Sequence, residues 1–280
     1  MHLLATGVLF MKTWLITGAS SGFGRELVKV AAKNGNKVFA TARKLESIQD
    51  LKENYDSVEI LQLDVTDQAS VDAAAKAAGN IDILVNNAGI GAVGAIEEQT
   101  IEQAKQLFEV NVWGLARVTQ AFLPMFRAQK SGHIINISSV AGIFSMPGFG
   151  FYCASKHAVE ALTDALGGEL AEYNVHVTAV EPGAFNTSFA KNKGLIRAQE
   201  MDAYTNSAGG TRQFIDGFAA NGAPGDPAKA AQHMYKMTEL TEIPRRLPLG
   251  EDAWEWAGNR VKELESQLLG HEDLTRGTNL

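Results

Sequence analysis

Short apolar runs alternate with longer amphipathic stretches over the first 180 residues of the chain. The short runs are Thr13–Thr17, Lys37–Ala40, Val58–Leu61, Ile81–Val85, His133–Ile137 and Val175–Val180, rich in Val, Ile and Leu as buried strands are. Between them, helical spacing of apolar residues predicts helices over Phe23–Lys33, Leu45–Glu53, Gln68–Ala78, Thr100–Ala128 and Cys153–Tyr173. Strand and helix in strict alternation predict βαβ units and a parallel sheet. The pattern breaks after Pro182-Gly183: residues 184–225 carry Ser, Gly, Asn and Ala with little periodicity and read as a pliable, loop-rich region that covers a substrate. Pro227–Leu240 reads as a helix, Ile243–Leu249 as a short strand, Glu251–Leu269 as a last amphipathic helix, and residues 250–280 as a C-terminal helix and tail. Trp254 and Trp256 lie two apart on that helix and cannot share a face, so one is expected inside and one outside.

Composition narrows the picture. With 280 residues, 45% hydrophobic and 20% charged, the chain can bury a large core and is not a disordered segment. The expectation is a single doubly wound, Rossmann-like α/β domain over residues 12–280, with a mostly parallel sheet of about seven strands and helices on both faces. A net charge of -7 argues against a nucleic-acid-binding face. One cysteine, Cys153, makes neither an internal disulfide nor a thiolate metal site, and the six histidines have no ligand spacing, so no metal and a reducing, cytoplasmic setting are expected. Residues 1–11 read as an N-terminal extension or a misassigned start, since Met11 serves equally well, and no run is long and apolar enough to span a membrane.

The 27 glycines are in excess without a repeat, so they mark places where backbone geometry needs them. The first strand runs into Thr17-Gly18-Ala19-Ser20-Ser21-Gly22-Phe23-Gly24 and then a helix. Gly18, Gly22 and Gly24 suit a turn that folds sharply and lets a pyrophosphate reach amides at a helix N-terminus, with Ser20, Ser21 and Phe23 around it. The end of the second strand reads Ala42-Arg43-Lys44, with no acid to take a free ribose 2′-hydroxyl. Arg43 offers a planar fork for a 2′-phosphate and a face for adenine, and Lys44 adds a second cation. NADP(H) is therefore favoured over NAD(H), which such a turn could also hold. The competing reading is two solvated charges at the start of a helix.

Taken in order, these residues resemble the short-chain dehydrogenase/reductase family, compact branch, from about Thr13 to Thr187. Thr17–Gly24 is similar to its T-G-x-x-x-G-x-G, Asp64-Val65 to its adenine-contacting acid and neighbour, and Asn86-Asn87-Ala88-Gly89 to its N-N-A-G. Asn111, Ser139, Tyr152 and Lys156 fall where the family keeps its catalytic residues, and Pro182-Gly183 with Thr187 resembles its nicotinamide-holding P-G-x-x-x-T. The resemblance implies that Lys156 binds the nicotinamide ribose, and that Asn111 opens its helix locally and seats a water leading to the lysine. Asp64 has an alternative place in the N-cap region of the helix after Thr66.

Chemistry supports the same set. Tyr152 and Lys156 are an i, i+4 pair on one helix face, so phenol and ammonium reach a common site. A neighbouring cation and an oxidised nicotinamide are expected to lower the phenol and fit it to exchange a proton. Ser139, preferred to Ser138 by the family spacing, can hydrogen-bond a substrate oxygen. The implied reaction interconverts a carbonyl and a secondary alcohol by hydride transfer, with reduction the favoured direction.

Ile143, Phe144, Met146, Phe149, Phe189 and Phe214 are candidates for an apolar pocket lining, Phe144, Phe149 and Phe189 foremost with Ser139, or else belong to the core. A hydrophobic ketone or alcohol is the expected substrate, as the likeness to steroid- and retinol-acting members also implies. The helices Thr100–Ala128 and Cys153–Tyr173 are the faces that pair in the family, which implies a homodimer or homotetramer. The alternatives are a catalytically silent dinucleotide-sensing protein, against which Tyr152 and Lys156 stand, and a nucleotide-sugar epimerase or dehydratase, whose glycines are spaced differently.

Overall fold

The computed structural model describes residues 11–190 and 195–276. Of the expected extension at residues 1–11, residues 1–10 lie outside them. In chain order the elements are β1 Thr13–Ile16, α1 Gly22–Lys33, β2 Lys37–Ala42, α2 Gln49–Asn54, β3 Val58–Gln62, α3 Gln68–Ala78, β4 Ile83–Asn86, β5 Gly91–Val93, α4 Ile101–Phe108, α5 Leu115–Gln129 and β6 Gly132–Ile137. They continue as α6 Gly150–Glu169, β7 Val175–Pro182, β8 Leu195–Arg197, α7 Ala208–Asn221, α8 Pro227–Met237, β9 Arg246–Leu249, α9 Glu251–Gly270 and a short α10 Glu272–Thr275.

Seven strands form one sheet in the order β3-β2-β1-β4-β6-β7-β9, and every pairing is parallel. Alternate side chains along each strand enter opposite layers. Trp14, Ile16, Val38, Ala40, Ile83, Val85 and Ile135 pack on the layer under α1 and α8, where Trp14 stacks on Tyr235 at 5.7 Å. Leu15, Phe39, Leu84 and Ile134 face the layer with Val118, Phe122 and Phe126 of α5. The continuous apolar strands of the sequence are thus buried on both faces, as parallel sheets require. The order reverses between β1 and β4, which opens a crevice at their carboxyl ends.

Three elements differ from the sequence reading. The stretch Thr100–Ala128 is not one regular helix: α4 and α5 are joined by a π-helical turn over Glu109–Gly114. The stretch Leu45–Glu53 breaks into a single 3₁₀ turn and the short α2. The region 184–225, read as a loop, contains the four-turn α7, and β8 pairs in parallel with β5 beside the main sheet. Its helical spacing is masked by Gly209, Gly210 and Gly217, residues with low helix propensity that tertiary packing overrides. A buried ion pair ties α7 down: Arg212 reaches Glu98, whose Oε1 also accepts from Met201 N at 2.8 Å and whose Oε2 accepts from Ala95 N at 2.6 Å. On α9, Trp254 is 77% exposed, whereas Trp256 packs edge-on against Phe144 at 5.3 Å. Among the described residues no helix is long and apolar enough to cross a membrane.

Candidate functional site

A cleft of about 1030 Å³ runs along the carboxyl ends of the strands, from Arg43 and Asp64 at one end to Phe214 and Trp256 at the other. The glycine turn forms its floor. Gly18 sits at φ +67 and Gly22 at φ +57, a region that favours glycine, and a Cβ on Gly18 would stand 2.9 Å from the Ala88 backbone. Thr17 holds the turn against the next strand: its Oγ1 accepts from Asn87 N and Ala88 N at 2.9 Å each, while Asn87 Nδ2 donates to Thr17 O at 2.8 Å. Helix α1 starts at Gly22 with no acidic residue in its first turn and no side-chain cap from Ser21, so its first amides stay available to an anion. Ser21 Oγ instead accepts from Ser188 Oγ at 2.8 Å, which links the turn to the segment after β7.

At the outer end, Arg43 and Lys44 follow β2 and line the cleft beside Ser47. Gln62 Nε2 donates to Arg43 O at 3.1 Å and fixes the backbone there. Asp64, next to Val65 on the opposite wall, accepts from Thr66 N at 3.0 Å and Thr66 Oγ1 at 2.7 Å. Burial works to raise its carboxyl, but the Thr66 hydrogen bonds and the Arg43 charge outweigh this and hold it below the usual range. Helix α3 is capped by Asp67, not Asp64, since Asp67 accepts from Ala69 N. Asn87, Ala88 and Gly89 form the middle of the wall, and Pro182, Gly183 and Thr187 close it on the far side. Thr187 lies against Gly22, where a Cβ would touch it at 3.4 Å. The glycine cradle, the free helix amides and the two cations fit a nicotinamide dinucleotide.

Ser139, Tyr152 and Lys156 converge on the inner end of the cleft. Ser139 follows β6 and caps a 3₁₀ turn, accepting from Ala141 N at 3.1 Å, while Ser138 is turned inward. Lys156 Nζ donates to Ile137 O at 2.8 Å and stands 5.9 Å from the centroid of the Tyr152 ring. Burial pushes the Tyr152 phenol up to about 12, with a Ser139 hydrogen bond working the other way. Burial pushes the Lys156 amine down to about 8, against the pull of Glu160. In the protein by itself, desolvation thus outweighs the Ser139 hydrogen bond; the expected lowering depends on a bound oxidised nicotinamide as well as the cation. Asn111 sits inside the π-helical turn and brackets Ile90, accepting from its N–H and donating to its carbonyl at 2.9 Å each. Its Nδ2 also lies 3.2 Å from Ser155 Oγ. The extra residue in that turn aims Asn111 at a neighbouring strand end, in place of the helix ladder.

Phe149 and Phe189 flank the Tyr152 ring, with centroids at 5.4 and 5.7 Å. Phe144, Met146 and Phe214 line the same end, and Ile143 does not. Phe149 does both jobs weighed for it: it is buried in a core cluster with Tyr152 and still faces the cleft. Phe185 and Trp256 are further lining residues that no motif marks. Among the described residues no group of His, Cys, Asp or Glu is placed to hold a metal ion.

Comparison with known proteins agrees with this architecture. The family profile described as short chain dehydrogenase matches residues 12–198. An uncharacterized oxidoreductase of Schizosaccharomyces pombe is 37% identical over 91% of this chain and 88% of its own length. The 3-ketodihydrosphingosine reductase of Bacteroides thetaiotaomicron is 36% identical over 84% and 87%. A short-chain dehydrogenase structure from Streptomyces avermitilis superposes with a TM-score of 0.90 at 41% identity, covering 96% of this chain and 98% of that one. A Burkholderia phymatum structure in complex with NAD (TM-score 0.80, 28% identity, 92% and 95% covered) and serine dehydrogenase complexed with NADP+ (0.73, 29%, 85% and 94%) have the same fold. The chain belongs to the short-chain dehydrogenase/reductase family and is an oxidoreductase of the CH–OH/C=O type that uses a nicotinamide dinucleotide.

Proposed function

We propose that the protein is an NADP(H)-dependent reductase of a hydrophobic ketone, with Tyr152 as proton donor, Ser139 and Lys156 as its partners, and Asn111 as the residue that opens the helix behind them. The observation that carries this reading is the meeting of Ser139, Tyr152 and Lys156 in one cleft with the Gly18–Gly24 turn. The bound nicotinamide supplies the hydride. Gly18, Ser20, Ser21, Gly22, Phe23 and Gly24 receive the pyrophosphate, Arg43 and Lys44 the 2′-phosphate, and Asp64 with Val65 the adenine. Asn87, Ala88, Gly89, Pro182, Gly183 and Thr187 hold the inner half.

Tyr152 is protonated at neutral pH and faces the cleft, so its hydroxyl can donate to a developing alkoxide, and a positive charge beside it favours the proton's departure. Ser139 Oγ hydrogen-bonds the same oxygen and orients it. Lys156, anchored on Ile137 O, holds ribose hydroxyls and places a positive charge beside the phenol as its proton leaves. Phe144, Phe149 and Phe189 shield this point from water and accept an apolar substrate. A relative named for 3-ketodihydrosphingosine supports a hydrophobic ketone. Residues 184–190 and α7, latched through Arg212, line the cleft and are the part of the chain that would cover a substrate. A homodimer or homotetramer through α4, α5 and α6 is supported by Trp113, 53% exposed between α4 and α5. A cytoplasmic setting is supported by the single free thiol, Cys153.

The test is a screen of ketones and secondary alcohols with NADPH and NADH, run beside Tyr152→Phe. Turnover of apolar ketones that collapses in the variant supports the reading, and undiminished turnover in Tyr152→Phe refutes it.

A further inference from the structure

Behind the catalytic residues lies a second cluster of charge. Glu160 on α6 and Glu181 at the end of β7 are both buried, and both carboxyls reach the same nitrogen of Arg246 on β9, at 2.7 and 3.0 Å from Nη1. Arg246 Nη2 also binds the half-exposed Asp164 at 2.6 Å. Three carboxyl groups thus share one guanidinium. On the inner side, Glu160 Oε1, Glu181 Oε2 and Ser138 Oγ are buried and have no other hydrogen-bond partner among the described residues. A Cβ on Gly142 would meet Ser138 Oγ at 2.8 Å and Glu160 Cγ at 2.9 Å, so serine and glutamate crowd one point.

Each member adjoins a residue of the reaction site. Ser138 precedes Ser139, Glu160 is one helical turn beyond Lys156, and Glu181 precedes Pro182, whose carbonyl accepts from Ser139 Oγ at 3.4 Å. The groups facing the pair are Ser138 after β6, Lys156 and Asp164 on α6, and Arg246 on β9. Two bare carboxylates side by side in this setting would be costly: Ser138 offers one hydroxyl to the inner oxygens of two carboxyls, and one proton removes a charge while supplying a second donor.

We propose that Glu160 and Glu181 are positioning residues that share a single proton as a buried carboxyl pair, and that this pair seats Ser139 and Lys156 for hydride transfer. The direction of both ionisations fits. Burial raises Glu160 and pushes Glu181 up to about 7, where the Glu160 charge adds to the effect. The pair therefore loses its proton near neutrality. Beyond that point the two carboxylates repel across Arg246, and the chain segments carrying Ser139 and Lys156 are pushed apart.

The positioning role rests on the oxidoreductase reading, so the test has an arm that needs no turnover. Difference infrared titration of the intact protein should show a protonated carboxyl that ionises near neutrality and is absent from Glu181→Gln and from Glu160→Gln. The kcat profile of the wild type should carry a step in the same range, and Glu181→Gln, which keeps a neutral donor in place, should lose it. Glu181→Leu, which keeps bulk but no donor, should lower kcat by roughly tenfold or more while leaving the ketone KM unchanged. If that variant does not fold, the infrared signal and Glu181→Gln still decide. Two ionised carboxylates down to the ordinary glutamate range, or a wild-type step at the midpoint of the infrared carboxyl signal that persists in Glu181→Gln, overturns the proposal; a separate step from Lys156 is expected in both proteins. A protonated carboxyl with no kcat step in an active enzyme overturns the positioning role, whereas an inactive enzyme with the infrared signal intact counts against the oxidoreductase reading instead.

Discussion

Arg43→Ala should separate the two dinucleotides. Arg43 stands at the open end of the cleft with Lys44 beside it, and no carboxylate ends β2 to receive a free 2′-hydroxyl. Asp64 also lines the cleft; its Oδ1 accepts both Thr66 hydrogen bonds, and it feels the Arg43 charge without forming an ion pair with it. A hydrogen bond between charged groups contributes about 1.5–3 kcal/mol, and the exposure of Arg43 places it toward the lower half of that range. Taking about 2 kcal/mol gives a loss of roughly 30-fold in NADPH affinity. Stacking of the guanidinium on adenine is common to both cofactors, so NADH affinity falls by the smaller contribution of about 0.5–1 kcal/mol. The ratio of the two dissociation constants is therefore the quantity to measure, by fluorescence titration at two ionic strengths. The NADPH constant of the wild type should also weaken more steeply with salt. Equal loss for both cofactors, or a wild type that already prefers NADH, refutes the assignment of Arg43 to a 2′-phosphate.

Tyr152→Phe should reduce kcat by at least about 100-fold, the usual contribution of a positioned proton donor, while fluorescence titration still detects cofactor binding. Gly18→Ala combines a positive φ with a Cβ 2.9 Å from Ala88 Cα, so it should cost about 1–3 kcal/mol in thermal unfolding and weaken dinucleotide binding. Glu181 contributes a pH dependence with a definite sign: its carboxyl ordinarily titrates at 4.5 and stands at about 7 when folded. Across that window the folded state binds more protons than the unfolded one, so its contribution to stability falls as pH rises, and melts of Glu181→Gln should be flatter there. Trp113→Glu places a charge at the exposed turn between α4 and α5; light scattering should find the wild type as the proposed homodimer or homotetramer and the variant as a monomer.

Much of this protein was legible in its sequence. Alternating apolar strands and amphipathic helices specify a parallel sheet, because each strand must bury both faces and each crossover must cover one of them. Strand-to-helix order marks the turn at Gly18 and Gly22, and i, i+4 spacing puts Tyr152 and Lys156 on one helix face, but it is the family resemblance that implies a common site with Ser139. What tertiary structure alone decides is the contact between distant segments. Asn111 reaches Ile90 only because α4 and α5 meet through a π-helical turn, and nothing in the apolar spacing of Thr100–Ala128 marks that extra residue. Helix α7 forms in a glycine-rich stretch because Arg212 finds Glu98 across more than a hundred residues. The raised phenol of Tyr152 and the Glu160–Glu181 pair have the same origin. Burial and neighbouring charge set the ionisation of these groups, and both are properties of the packed interior that no run of adjacent residues encodes.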